Sequence, residues 1–389
     1  MEKIFNNTQV AFALKSDTEL DRAYFLFKLI ANQPLVRIGT AVTNFAIKAH
    51  LPVEGLIRAT VFDHFCGGIN ENDCLSVVEK MHTKGVSSVL DYSVEGKEED
   101  EQFDAVLKMT LKTIDFAAKK QAIPFAVFKP TGLGRFELYE KLGEGITLNE
   151  VDAKDWNRVI ERFDTVCKAA HQHNVPLLID AEESWMQDAA DDLVTQMMQK
   201  YNKEKAIVFN TLQMYRHDRL DFLKKQHDLA KVEGFSIGMK VVRGAYMEKE
   251  NDRAKEKGYP TPICASKQAT DDNYNAAVDY MLQHLDRMSI FVGTHNEESS
   301  YKVMTRIGDF NLDKKDNRIW FGQLYGMSDN ISYNLAEHQY NVAKYLPFGP
   351  VRDVMPYLIR RAEENTSVAG QTNRELELIK AERSRRKNK

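Results

Sequence analysis

Apolar positions recur at mixed spacings of three and four through Glu19–Ala31, Ala41–Ala49 and Leu51–Phe65, so residues 1–85 are expected to form a helical segment. From Ser87 the pattern changes, and short β-branched or apolar runs alternate with longer amphipathic stretches. The runs are Ser87–Asp91, Phe125–Lys129, Pro176–Asp180, Ala206–Thr211, Gly238–Val242, Ser289–Thr294, Ile319–Gln323 and Val342–Leu346. Between them, Gln102–Gln121, Asp155–His173 and Thr270–Arg287 are long enough for crossover helices, and Ser328–Gln339 fits the shorter gap before the last run. Eight such β–α units predict an α/β fold, a (βα)8 TIM-type barrel over residues 86–366, with a C-terminal helix and basic tail over 367–389. A doubly wound open sheet would need a glycine-rich dinucleotide fingerprint after its first strand. Here Asp91 is followed by Tyr-Ser-Val-Glu-Gly-Lys-Glu-Glu-Asp, which lacks it.

A barrel of this kind gathers its working groups at the C-terminal ends of the strands. Polar or aromatic functional groups stand there in every run: Asp91, Lys129, Asp180 with Glu182, Gln213, Arg243, His295 with Asn296, Gln323 and Tyr345. Lys129 precedes Pro-Thr-Gly-Leu-Gly and is either a snorkelling surface lysine or a cation of the site. Asp180 follows four apolar residues, so its carboxylate needs a partner, for which an arginine of the last helix is the natural candidate. Gly238–Tyr246 places Lys240, Val242 and Arg243 around a strand end, then Gly244 and Ala245, which let a large planar ligand approach the backbone. Thr294, His295 and Asn296 offer a hydroxyl, an imidazole and an amide in succession, or else a turn cap.

The segment Tyr345–Asn365 carries the strongest chemistry. Asp353 reads as a helix N-cap, with Pro356 still in the first turn, where its missing N–H costs nothing. The residues that follow are apolar except for Arg360, Arg361 and Glu364, whose spacings of three and four bring them to one side of a helix. This triplet is either an exposed, salt-bridged helix end or a clamp for a small carboxylate, which guanidinium forks bind bidentately.

Composition narrows the possibilities. The 389 residues are 43% apolar and 28% charged with a net charge of −4, which fits a folded protein without a nucleic-acid footprint. Cys66, Cys74, Cys167 and Cys264 are scattered, which suggests neither a disulfide framework nor a zinc knuckle and suits a reducing cytoplasm. The N-terminus has neither signal-peptide nor transit-peptide character, and no apolar run is long enough to span a membrane. The basic residues of Ala381–Lys389 are expected to form a solvated, frayed tail or to attract an anionic membrane surface. His171 and His173 fall at the end of a helix, on the wrong face of a barrel for a metal site, so no bound metal is expected. There is no elbow motif with a Ser-His-Asp or Cys-His ordering. Many donors and cations with few nucleophiles point to a bound cofactor that performs the reaction.

These segments resemble the proline dehydrogenase family. The resemblance is carried, in the family's order, by Ile-Asp-Ala-Glu, Lys-Val-Val-Arg-Gly-Ala-Tyr, Thr-His-Asn, Gln-Leu-Tyr-Gly-Met and the C-terminal Tyr-x-Pro-x-Gly with Pro-Tyr-Leu-x-Arg-Arg-x-x-Glu-Asn. It runs from about Phe5 to Asn365 and implies the monofunctional form, a distorted (βα)8 barrel with its last helix over the barrel mouth. It further implies FAD as cofactor and oxidation of L-proline to Δ1-pyrroline-5-carboxylate, with electrons passed to a membrane quinone. The implied place is the cytoplasm or the periphery of the inner membrane surface, and the implied partner a pyrroline-5-carboxylate dehydrogenase. Transferred residue by residue, Arg360, Arg361 and Lys129 would hold the proline carboxylate. Tyr246, Leu324 and Tyr345 would pack on the ring, and Asp180 would order the arginine cluster. Lys240, Val242, Arg243, Gly244 and Ala245 would hold the flavin, with Gln213 and Gln323 near its ring system. Thr294, His295, Asn296, Lys267 and Glu364 would meet its remaining polar parts. The same resemblance admits hydroxyproline dehydrogenase, which Tyr345 disfavours by crowding a 4-hydroxyl, and an inactive barrel-fold binding protein.

Overall fold

Eight parallel strands close into one barrel in chain order: β1 (Val86–Tyr92), β2 (Phe125–Phe128), β3 (Leu177–Ile179), β4 (Val208–Gln213), β5 (Ile237–Val242), β6 (Met288–Gly293), β7 (Ile319–Leu324) and β8 (Val342–Phe348). Each expected run is a strand, with ends within two residues of the prediction. The computed structural model describes residues 3–48, 54–94, 98–367 and 369–388, except for the side chains at 33, 37, 43–48, 56, 59, 362–367 and 369–371. In chain order the longer helices are α1 (Asp17–Ile30), α2 (Gln33–Lys48), α3 (Leu75–His82), α4 (Asp100–Lys119), α5 (Phe136–Gly143), α6 (Glu150–Gln172) and α7 (Ser184–Tyr201). They continue as α8 (Arg219–Glu233), α9 (Met247–Lys257), α10 (Lys267–Gln283), α11 (Glu297–Asp309), α12 (Asp329–Glu337), α13 (Val351–Ser367) and α14 (Ala369–Lys387). The predicted Asp155–His173 and Thr270–Arg287 are the bodies of α6 and α10. Both helices begin earlier, where Asn149 and Ser266 accept the N–H groups of Asp152 and Ala269 as N-caps.

Contacts divide the chain into two compact units, Met1–Glu95 with Gln323–Lys389, and Gly96–Gly322. In the first, β1 pairs with β8 along its whole length, from Val86 opposite Val342 to Tyr92 opposite Phe348. The helix expected over Leu51–Phe65 is broken: Glu54–Ile57 is α-helical, Arg58–Phe62 a π turn and Asp63–Phe65 a last short turn. Its predicted start at Leu51, like the expected end of α2 at Ala49, lies outside the described residues. Leu26, Ile30, Phe62 and Phe65 pack with Val354, Met355 and Leu358 of α13, so the N-terminal helices bury the apolar face of the last barrel helix.

Three expectations about the C-terminal region need correction. α13 starts at Val351, so Asp353 lies inside its first turn, facing the positive end of the helix dipole, and is not the N-cap. Pro356 falls in the second turn, where its ring removes the bond that Arg352 would have accepted. The basic C-terminus is a docked helix, not a frayed tail. Leu378 and Ile379 pack with Ala11, Phe12, Leu20 and Phe27. The Glu382 carboxylate is fully buried and accepts bonds from Thr8 (2.9 Å), Arg385 (2.7 Å) and Arg386 (2.8 Å). Arg386 also donates to the carbonyls of Phe12 and Lys15, both at 2.9 Å. A buried carboxylate and open carbonyls give these cations a reason to order.

A second buried charge cluster joins β8 to both termini. Lys344, wholly inaccessible, donates to Asp329 at 2.8 Å and to the Met327 carbonyl at 2.6 Å, and Lys15 reaches the other Asp329 oxygen at 3.2 Å. Burial alone would raise the Asp329 carboxyl, but the two lysines hold it well below the usual carboxylate range. The N–H of Ser328, a residue in left-handed backbone (φ 51°), donates to Glu375 of α14.

The second unit is filled by aromatic rings at the lower ends of its strands. Phe125 meets Phe209, Phe291 and Trp320 edge-on at 5.9, 5.2 and 5.2 Å between centroids. These rings come from β2, β4, β6 and β7. A Cβ at Gly238 would lie 2.5 Å from Cγ of Phe209, so glycine there makes room for the ring. Gly238→Ala is therefore expected to lower stability by about 1–3 kcal/mol in denaturant titrations. An unstrained Gly-to-Ala change would instead stabilise by about 0.4–1 kcal/mol through the unfolded chain.

Candidate active site

In the second unit, four strand ends carry a connected set of polar groups. Lys240 lies on the same face of β5 as Gly238, two residues further along. It is buried at 6% exposure and ion-paired with Asp180, the residue after β3. The partner foreseen for Asp180 was an arginine of the last helix, yet within this unit it is a lysine that the sequence suggested for the cofactor. A buried ammonium needs a carboxylate of this kind, because stripping its water costs several kcal/mol.

Glu182 lies two residues beyond Asp180. Its carboxylate accepts from the Thr131 N–H at 3.0 Å and the Thr131 hydroxyl at 2.7 Å. Burial pushes it up to about 7, against the pull of Lys129 and of the Thr131 bonds. Lys129 itself is half-buried and caps the turn Pro130–Gly132. Gln213, the last residue of β4, is 3% exposed. Its amide donates to the Glu182 carbonyl at 2.6 Å and accepts the Ala245 N–H at 3.4 Å, so it braces the loops after β3 and β5.

Arg243 follows β5 and is fixed on three sides. It donates to Asp271 (2.6 Å), to the Thr294 hydroxyl (2.9 Å) and to the Ser299 hydroxyl (3.0 Å), and it lies over the Tyr274 ring at 4.4 Å. Lys267 reaches the second Asp271 oxygen at 2.6 Å. Arg243, Thr294 and Lys267, expected separately at the cofactor, are thus brought together around Asp271. Neither Asp271 nor Ser299 was anticipated. The only sequence sign was the Lys267-to-Asp271 spacing of four on one helix. Asn296 caps α11 by accepting the Ser299 N–H at 2.9 Å, and the Thr294 hydroxyl accepts the Asn296 N–H at 3.1 Å. The turn-cap alternative therefore holds for Asn296, while His295 stays half-buried beside it.

Gly244 has φ +129°, and a Cβ there would meet the Tyr215 ring at 2.5 Å. One side of this glycine is thus filled by Tyr215, not left open for a ligand. Gly244 and Ala245 are nevertheless solvent-exposed, so their backbone is approachable. Val242 and Tyr246 on either side are half-buried, and Lys249 stands 5.6 Å over the Tyr246 ring.

In the first unit, Leu324 ends β7 and is half-buried. Gln323 before it is 2% exposed and accepts the Ser332 hydroxyl at 2.8 Å. Tyr345 stands in the middle of β8 and not at its end, with 7% exposure. Alternation along the strand puts Tyr345 on the face opposite Lys344. On α13, Arg360 is half-buried, and Arg361 is 8% exposed with its guanidinium 5.2 Å from the Tyr357 ring centre. Burial rules out an exposed, solvated helix end for Arg361. The Glu364 side chain lies outside the described residues. Among the described residues there is no group of three or more His, Cys, Asp or Glu that could hold a metal ion.

Comparison with known proteins places these residues in context. The family model described as proline dehydrogenase matches residues 74–374. The chain is 37% identical over 362 residues to the carbapenem antibiotics biosynthesis protein CarD of Pectobacterium carotovorum subsp. carotovorum, covering 92% of this chain and 94% of that one. It is 30% identical to the mitochondrial proline dehydrogenase 1 of Dictyostelium discoideum, covering 99% and 75%. It is 29% identical to hydroxyproline dehydrogenase of Xenopus laevis, covering 96% and 88%. Among solved structures, proline utilization A from Bdellovibrio bacteriovorus inactivated by N-propargylglycine superposes with a TM-score of 0.71 at 19% identity. The match covers 94% of this chain but 37% of that one, so the likeness is one of fold.

The raised Glu182 carboxyl has a pH signature. The folded chain holds this proton more tightly than the unfolded chain, so the stability it contributes is complete below the ordinary carboxyl range and is lost as pH rises through about 7. Glu182→Gln should remove a slope of about −1.4 kcal/mol per pH unit across that window, read from urea midpoints at a series of pH values.

Proposed function

This chain belongs to the proline dehydrogenase family, and from that premise we propose that it uses FAD to oxidise L-proline to Δ1-pyrroline-5-carboxylate and passes the electrons to a quinone. The observation that carries the reading is the burial of cations at positions taken for carboxylate and flavin binding: Arg361 at 8% and Lys240 at 6% exposure. In this reading Arg360, Arg361 and Lys129 take the substrate carboxylate, and Tyr345, Leu324 and Tyr246 bound the ring. Asp180 balances charge by holding Lys240 in place.

The donor set suits a planar, anionic cofactor. The approachable backbone of Gly244 and Ala245 supports a flat ligand there. Arg243 and Lys267, gathered about Asp271, support an anionic portion. A flavin held by Arg243, Lys267 and the Gly244–Ala245 backbone would supply the hydride acceptor for oxidation at the ring carbon next to nitrogen. The chain's own residues do the rest by orientation and electrostatics. The arginines fix the acid group, and the ring nitrogen must separately lose its extra proton before the imine can form. An ammonium has no lone pair to support that bond.

Two narrower readings share this chemistry. The Xenopus likeness supports 4-hydroxylated proline as an alternative substrate. Against it, Tyr345 is a bulky phenol buried within β8, and turnover of L-proline should exceed that of trans-4-hydroxy-L-proline. The Pectobacterium likeness supports a product that feeds biosynthesis. Deleting the gene and testing growth on proline as sole nitrogen source separates this from catabolism. A pyrroline-5-carboxylate dehydrogenase would then be the downstream partner.

The central test is spectroscopic and kinetic. The purified protein should be yellow and should bleach when L-proline is added without oxygen. Arg360→Met and Arg361→Met should each raise KM for proline by about tenfold or more, about 1.4 kcal/mol per decade. Unchanged kinetics in both variants would remove the carboxylate clamp.

A further inference from the structure

α9 follows directly on the loop Arg243–Tyr246 and has almost nothing apolar to bury. Of its eleven residues only Glu250 and Ala254 are buried. A helix on a barrel wall is ordinarily held by an apolar stripe, whereas this one depends on polar contacts. Lys249 reaches Glu183 at 2.9 Å, and Arg253 donates to Glu140 of α5 and lies 4.6 Å over the Trp185 ring. The Lys249 ammonium is exposed, so its ion pair contributes little. The contact made out of water is that of Glu250, which has no exposure at all.

Glu250 completes another helix. α7 starts at Ser184, its N-cap Glu183 makes no side-chain bond to it, and its first turn carries no acid. The cap comes instead from 66 residues away: the Ser184 N–H donates to one Glu250 oxygen at 2.7 Å and the Ser184 hydroxyl to the other at 2.5 Å. A carboxylate suits the positive end of a helix and the N–H groups left open there. The Tyr215 hydroxyl, at 3.4 Å, turns toward the first oxygen. Tyr215 also grips the loop before α9. Its N–H donates to the Arg243 carbonyl at 2.6 Å, and its ring fills the space that a Cβ at Gly244 would need. One buried carboxylate thus ties the start of α7, the residue under Gly244 and the helix after Ala245 together. Removing it would leave the buried donors of Ser184 without their acceptor.

We propose that Glu250 is a positioning residue for the cofactor loop. By pinning α9 to Ser184 and Tyr215, it holds Gly244 at φ +129° and keeps the exposed Gly244–Ala245 backbone in the shape that receives a flat ligand. Glu250 is buried behind that backbone and acts through it, not on the ligand itself. The inference rests on the reading above that this backbone meets FAD.

The test titrates FAD into the flavin-stripped full-length protein, read by flavin fluorescence, and digests the same samples with trypsin. Lys249, Arg253, Lys255 and Lys257 offer the protease sites on α9. Glu250→Ala should weaken FAD binding by about tenfold or more and speed cleavage within α9 by a similar factor, because cleavage follows the population of the locally opened helix. Glu250→Gln keeps an acceptor for the Ser184 N–H and a donor for its hydroxyl, so it should restore both readouts to within about threefold of the parent protein. Gly238→Ala strains β5 below the loop and lowers overall stability, yet should leave FAD affinity and α9 cleavage close to the parent values. Equal losses in Gly238→Ala and Glu250→Ala would reduce Glu250 to a merely structural role and overturn the proposal. So would unweakened FAD binding by Glu250→Ala. Should Glu250→Ala not fold, Ser184→Ala with Tyr215→Phe removes both hydroxyl contacts and should weaken FAD binding in the same direction, by about threefold or more. A parent protein that takes up no FAD sinks the cofactor reading and this inference with it, whereas tight binding by the parent and by both variants sinks this inference alone.

Discussion

A cation leaves water only in the company of an anion, and much of this structure is organised by that rule. Lys240 can stand inside the barrel wall because Asp180 directly follows the strand two positions away in the sheet. Lys344 can occupy a strand position with no exposure at all because Asp329 opens the next-to-last barrel helix beside it. Arg219 is buried between Asp191 and Asp218 in the same manner, at the start of α8. Lys240 and Asp180 join strands that are distant in sequence, so this pair pins register as well as contributing to the candidate site. Arg361 is held at low exposure on a helix whose Val354, Met355 and Leu358 pack into the core, and in the proposed reading a substrate carboxylate would answer to the same rule.

Much of the fold was legible because parallel strands, covered on both faces, are written as short apolar runs. The runs at Ile319 and Val342 end with their strands nearly where the hydropathy changes. Candidate site positions could be picked out for a related reason. A barrel gathers its strand ends, so Asp180, Gln213 and Arg243 could be singled out before any contact was known. Partnerships were harder to see. Arg243 is held by Asp271 and Ser299, which sit on two different helices with no spacing that connects them to it. Gly244 was read as open to a ligand because glycine marks close approach of something. On one side the neighbour is the protein's own Tyr215, while the Gly244 backbone itself remains exposed.

Helix ends were misjudged where tertiary contacts outweighed local signals. Asp353 looks like a cap, yet α13 begins at Val351, where Val351 and Val354 gain burial against the N-terminal helices. The basic C-terminus looks like a solvated tail by composition alone. Its order depends on Glu382 in the same helix meeting Thr8 at the far end of the chain, a contact no local pattern discloses. Lys344 is the clearest case. A lysine in a predicted strand is ordinarily assigned to the solvent side, and only the position of Asp329 makes its burial affordable.

The pairing of β1 with β8, and of α14 with α1, bears on how the chain comes off the ribosome. β1 and α1 are made long before their partners β8 and α14. They must wait, with their apolar faces uncovered, until those partners have been made. Closing so long a loop makes that unit slow to assemble, and the nascent protein is most exposed to aggregation or chaperone capture during this interval. The central portion, whose contacts are made among neighbours in sequence, is free to assemble while synthesis continues.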